Sequence, residues 1–172
     1  MKIRTMLALT MLTLNLHALT LGAVPKQLTI SGENGGLVKD ESAWDSSTLH
    51  GKVKILFYVD PDEKDLNNDL SAALKAEHFD KSKFGSIAII NLAATWKPNF
   101  IIESILKSKQ EEFPHTLYIK DKTSVLVKEW HLSDDNSDIL LFAPDGRLLF
   151  QKDGKLSVQE IQKVLQLIKE NL

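Results

Sequence analysis

Gly51-Lys52-Val53-Lys54-Ile55-Leu56-Phe57-Tyr58-Val59, followed at once by Asp60-Pro61-Asp62-Glu63, decides how the rest of this chain is read. The apolar run is nearly continuous, the pattern of a strand buried in a sheet that is covered on both faces. Pro61 then breaks the chain, and a helix is predicted from about Glu63. Leu66, Leu70, Ala73 and Leu74 recur there at spacings of four and three, giving it one apolar stripe.

Downstream, 86–92 reads as a second apolar strand. Pro98 and Asn99 open a second helix, predicted to carry Ile101, Ile102, Ile105 and Leu106 on one face. Pro114 ends it by forcing Phe113 out of the helical region. Residues 116–119 and Val125–Trp130 read as strands around a turn at Asp121-Lys122. Two more strands, 139–142 and 148–151, are joined by Pro144-Asp145-Gly146, with Asp153-Gly154 closing the hairpin. Ser157-Val158-Gln159-Glu160 is a capping box, and the helix behind it carries Val158, Ile161, Val164, Leu165, Ile168 and Leu172 on one face. Upstream, Gly32 and Gly35-Gly36 mark a turn between short strands at 27–30 and 37–39, predicted to form an N-terminal β-hairpin. Alternating strands and helices with a hairpin at each end predict an α/β fold: a mixed sheet with helices on both faces and an N-terminal β-hairpin extension.

Lys2 and Arg4 precede an apolar stretch from Met6 to about Leu16, and Ala18 and Ala23 are small residues suited to a cleavage site. This is the tripartite form of a secretory signal peptide. The apolar run is shorter than the roughly 20 residues that span a bilayer. Cleavage is expected after Ala18, leaving Leu19 first and a single domain over 19–172; cleavage after Ala23 is the alternative. The expected location is the periplasm, without membrane insertion once the leader is removed.

The chain has 21 basic and 23 acidic side chains; without Lys2 and Arg4 the balance is 19 to 23, a net charge of −4. That acidic balance lacks the clustered Lys and Arg of a nucleic-acid footprint, which disfavours a DNA-binding regulator. Cysteine is absent altogether. No thiolate chemistry, disulfide or lipidation site is available, so packing alone must stabilise the fold.

Three stretches resemble peroxiredoxin and TlpA-type thioredoxin-fold proteins: Trp44-Asp45-Ser46-Ser47-Thr48-Leu49-His50-Gly51-Lys52-Val53, Phe113-Pro114-His115-Thr116-Leu117-Tyr118-Ile119-Lys120-Asp121, and Ile139-Leu140-Leu141-Phe142-Ala143-Pro144-Asp145-Gly146-Arg147-Leu148. More closely, the chain is similar throughout to the YtfJ-type family of exported bacterial proteins, which lack the redox cysteines. The similarity is clearest over 49–56 and Val127-Lys128-Glu129-Trp130-His131-Leu132-Ser133-Asp134-Asp135, continuing through Asp153-Gly154. The resemblance implies a thioredoxin-like three-layer sandwich and a periplasmic location, and no settled activity. It also implies that Glu63 and Leu66 occupy the Cys-x-x-Cys positions. Asn136-Ser137-Asp138 stands where redox relatives carry a cis-proline, and a trans bond is expected there because a cis bond without proline costs about 2.5–4 kcal/mol. Ala94-Thr95-Trp96-Lys97-Pro98 mimics a reductase motif but follows the second core strand, which makes the likeness coincidental.

In such a fold the loop after the first core strand and the loop before Ile139 lie side by side. Asp60, Asp62, Glu63 and Asp65 would then face Asp134, Asp135, Ser137 and Asp138. Clustered carboxylates could hold Ca²⁺ or Mg²⁺, or a basic partner, although the glycine and glutamate of a calcium loop are missing. The plainer reading is helix capping by Asp60, Asp62 and Glu63. His50, His78, His115 and His131 have no ligand spacing and read as surface or half-buried residues. Ser137 lacks the context of a nucleophile elbow, and Trp44 and Trp130 read as core. Two functions follow. One is a non-catalytic binding or accessory protein of the periplasm, contacting a protein or small ligand through the former active-site face. The other is an enzyme with carboxylate- or metal-dependent chemistry on that face.

Overall fold

The computed structural model describes residues 19–172, so the leader expected at 1–18 lies outside the described residues. In chain order the elements are β1 (Thr29–Ile30), β2 (Gly35–Leu37), β3 (Trp44–Asp45), β4 (Val53–Val59), α1 (Asn68–Ala76), β5 (Phe84–Asn91), α2 (Asn99–Glu112), β6 (Thr116–Asp121), α3 (Val125–Trp130), β7 (Ser137–Phe142), β8 (Leu148–Asp153) and α4 (Val158–Asn171). The main sheet has the order β2-β6-β5-β4-β7-β8, parallel among β4, β5 and β6 and antiparallel elsewhere.

Strand alternation sorts the core into two faces. From β4 and β7, Val53, Ile55, Ile139 and Leu141 pack against α1 and α4, through Leu70 and through Ile161, Val164 and Ile168. On the same face, Val59 and Ile90 meet Ile102 and Leu106 of α2. The opposite residues, Leu56, Tyr58, Leu140 and Phe142, pack on Leu126 and Trp130 of α3 and on Ile30 and Trp44. Helices thus cover both faces, and the predicted α/β sandwich is the observed one. The capping box is present: Ser157 Oγ accepts from the Glu160 N–H, and Glu160 Oε2 accepts from the Ser157 N–H.

Four local expectations are corrected. Val125–Trp130 is a helix rather than a strand. The Asp121 carboxylate accepts from the Val125 and Leu126 N–H groups at 2.9 and 3.1 Å, which anchors the first turn. Left-handed Ser124 and His131 bracket the helix, and Leu126 and Trp130, four apart, are its buried residues. The N-terminal extension is an antiparallel pair, but β1 pairs with β3, while Gly35–Leu37 joins the main sheet against β6. Gly35 is required there: at φ +122° a Cβ would lie 1.9 Å from the Lys120 carbonyl oxygen. The first helix begins at Asn68, because Pro61–Glu63 forms a short 3-10 turn of its own. Finally, the α2 stripe splits: Ile102 and Leu106 are buried, whereas Ile101 and Ile105 face outward.

Candidate functional site

At the carboxyl end of β4, the chain turns sharply through the short Pro61–Glu63 3-10 turn. Asp60 is buried; its N–H donates to the Asn136 carbonyl at 2.9 Å, and its Oδ1 accepts from the Asp62 N–H at 2.8 Å. This is the capping role expected of Asp60. Burial pushes its carboxyl up, the Asp62 N–H offsets part of that, and the charges of Asp62, Asp135 and Glu63 add to the rise. Asp62, Glu63 and Asp135 therefore lie near Asp60 on one rim, with Glu63 and Asp135 exposed.

Asp62 has a different task from the capping expected of it. Its carboxylate accepts from Thr95 Oγ1 at 2.8 Å and is ion-paired with Lys97. The run 94–98, read in the sequence as a coincidental motif, is therefore tied to the loop after β4. It holds Trp96 beside the acidic rim with 85% of its surface exposed.

The other predicted site residues go elsewhere. Asp134 accepts from Asn91 Nδ2 at 2.8 Å and from Ser124 Oγ at 3.3 Å, closing the 131–136 loop onto the end of β5. Asp138 is 1% exposed and accepts from the Ser133 N–H at 3.1 Å. Burial, and then the charge of Asp153 opposite it in β8, push its carboxyl up to about 7, with the Ser133 N–H pulling the other way. Ser137 Oγ accepts from Asn67 Nδ2 at 3.1 Å; the same amide donates to the Gly154 carbonyl and accepts from the Leu156 N–H. Ser137 is thus a structural acceptor, and every peptide bond among the described residues, that before it included, is trans.

Sequence reasoning missed Asn67 and the pair Tyr58–Asp121. Tyr58 Oη donates to Asp121 Oδ2 at 3.1 Å, joining β4 to the residue that anchors α3. Burial, with the Asp121 charge next, holds the phenol well above its usual range. Tyr58, the one hydroxyl-bearing side chain of β4, was the available signal. Among the described residues, no group of three or more His, Asp or Glu is arranged to hold a metal ion. The four histidines among them are exposed, and Trp44 and Trp130 lie in the core.

The family model described as a bacterial protein of unknown function, YtfJ_HI0045, matches residues 30–171. The chain belongs to the YtfJ family. It is 28% identical to the uncharacterized protein YtfJ of Escherichia coli over the whole of both chains. It is 32% identical to an uncharacterized protein of Haemophilus influenzae, over 73% of this chain and 70% of that one. Among solved structures it is similar to a candidate protein disulfide isomerase from Bacteroides thetaiotaomicron, with a TM-score of 0.65, 18% identity and coverage of 90% and 91% of the two chains. A thiol-disulfide isomerase from Corynebacterium glutamicum matches with a TM-score of 0.60 and 16% identity, over 86% of this chain and 96% of that one. These likenesses establish a thioredoxin-like fold. In this YtfJ-family chain the fold carries no cysteine, so no mixed disulfide can form on it. No described helix is long and apolar enough to cross a membrane.

Proposed function

We propose that this protein acts in the periplasm as a non-catalytic binding or accessory protein, and that its contact surface is the face where redox relatives keep their thiols. The observation that carries the reading is Trp96, 85% exposed and fixed beside the acidic rim by the bonds of Thr95 and Lys97 to Asp62. An exposed tryptophan on a tethered segment offers a large contact area with only two side-chain torsions to order, and such residues anchor interfaces. Glu63 and Asp135 add negative charge around the buried Asp60, so the complementary partner is a basic segment carrying an apolar group. The leader-like composition of 1–18 supports export. Its cleavage to Leu19 and a single domain over 19–172 belong to the same proposal. Asp60 is engaged in a cap and Asp62 in an ion pair, which favours binding over carboxylate catalysis.

The test expresses the full chain with a C-terminal tag and releases the periplasm by osmotic shock. Intact mass should show loss of residues 1–18. Affinity capture from the same fraction should recover a stoichiometric partner, and the double variant Glu63→Lys/Asp135→Lys should lose it. Full-length protein confined to the cytoplasm, or a partner retained equally by the variant, would overturn the reading.

A further inference from the structure

The outer face of α2 is left uncovered by the rest of the fold. Phe100 is 73% exposed, Ile101 44% and Ile105 51%, and Trp96 stands just ahead of the helix at 85%. Ile101, Ser104, Ile105, Ser108 and Glu112 recur at spacings of three and four, so they form one exposed stripe opposite the buried Ile102 and Leu106. Full exposure of an aromatic presents roughly 150–250 Å², so the four apolar side chains leave about 500 Å² of apolar surface bare. The largest apolar patch on a typical monomer spans about 300–600 Å² and is often functional, and this face is of that size.

We propose that a second copy of this chain covers this face, with the two α2 helices antiparallel about a two-fold axis. An axis placed between Ser104 and Ile105 sets Ile101 opposite Ser108 of the other copy and Ile105 opposite its Ser104. Each large side chain then meets a small one, which lets two helices approach closely and interdigitate. The same axis sets Lys97 opposite Glu112 and brings Glu111 close to it. Within one chain Lys97 is paired with Asp62 and Glu112 with Lys109, so the antiparallel arrangement brings two exposed ion pairs together across the axis. The helix dipoles also oppose one another. The apolar area is about two-thirds of the roughly 800 Å² per partner in a standard interface, and the flanking Lys107, Lys109 and Glu111 supply a polar rim. A lipid surface fits less well, because membrane-surface helices carry a mainly basic polar face and this one has Glu111 and Glu112 beside the stripe.

The face shares Trp96 with the binding reading but not Glu63 or Asp135, so the Glu63→Lys/Asp135→Lys variant tests that reading and Ile105→Glu tests this one. Sedimentation equilibrium on protein purified after export, at roughly 10–100 μM, should give about twice the mass of one chain. Ile105→Glu, at an exposed position, should restore the single-chain mass with an unchanged circular dichroism spectrum. Because the chain has no cysteine, Ser104→Cys provides a second readout. On mild oxidation it should give a disulfide-linked dimer many-fold faster than Lys75→Cys on α1. A single-chain mass throughout this range, a dimer that survives Ile105→Glu, or equal cross-linking of the two cysteine variants would overturn the proposal. So would a monomer that sediments with phosphatidylglycerol vesicles, which would assign the face to lipid.

Discussion

Replacing Asp138 by Asn should make this protein more stable at neutral pH and remove much of its pH dependence. The carboxyl is 1% exposed, has one N–H partner in Ser133, and faces Asp153 across the β7–β8 pair. Tyr58 lies opposite it in β4, with its hydroxyl committed to Asp121. Its folded value of about 7 stands against 3.8 for an unperturbed aspartate. Each unit is 1.36 kcal/mol, so ionising Asp138 within the fold costs about 4 kcal/mol. For an acid whose value is raised on folding, the stabilising contribution belongs to the protonated form. It is complete below about pH 4 and is lost as pH rises towards 7. Asn keeps an acceptor for Ser133, has no proton to lose, and can donate towards Asp153. Urea unfolding followed by the fluorescence of buried Trp44 and Trp130 should show wild-type stability falling between pH 4 and pH 7.5 by up to about 4 kcal/mol. Asp138→Asn should match wild type near pH 4 and exceed it by a few kcal/mol at pH 7.5. Below pH 4 both proteins should weaken together. Asp45, held low chiefly by Ser47, and Asp62, held low chiefly by Lys97, lose their stabilising ionised forms there. Parallel profiles for the two proteins from pH 4 to 7.5, or a variant less stable than wild type at pH 7.5, would refute the assignment of this titration to Asp138.

Asn67→Ala should cost about 3 kcal/mol, because it strands the Leu156 N–H and the Gly154 carbonyl at a buried site. By thermal unfolding that is a loss of about 10 °C, with Asn67→Asp intermediate because it keeps the acceptor. Gly35→Ala should cost at least about 2 kcal/mol from the left-handed backbone and the clash with the Lys120 carbonyl. Hydrogen exchange should then accelerate in β2 and β6 while β7 and β8 stay protected.

Much of this architecture is written in short-range chemistry. The uninterrupted apolar run of β4, the Pro114 stop after α2 and the Ser157–Glu160 capping box each act within a few residues, so they read correctly without any tertiary contact. The absence of cysteine likewise settles the question of thiol chemistry before any fold is considered. Other features depend on partners distant in sequence. Val125 and Val127 have the β-branched side chains of a strand, but the Asp121 carboxylate, itself held by Tyr58 from 63 residues away, and the burial of Leu126 and Trp130 make that segment a helix. The two pairs of apolar residues in α2 look alike in sequence; the sheet covers Ile102 and Leu106 and leaves Ile101 and Ile105 bare. The acidic-loop candidates are chemically similar, but Lys97, Asn91 and Ser133 give Asp62, Asp134 and Asp138 separate partners, and Asn67 takes Ser137. A carboxylate's environment is set by whichever backbone and charges the fold brings against it, and local sequence carries no record of those neighbours.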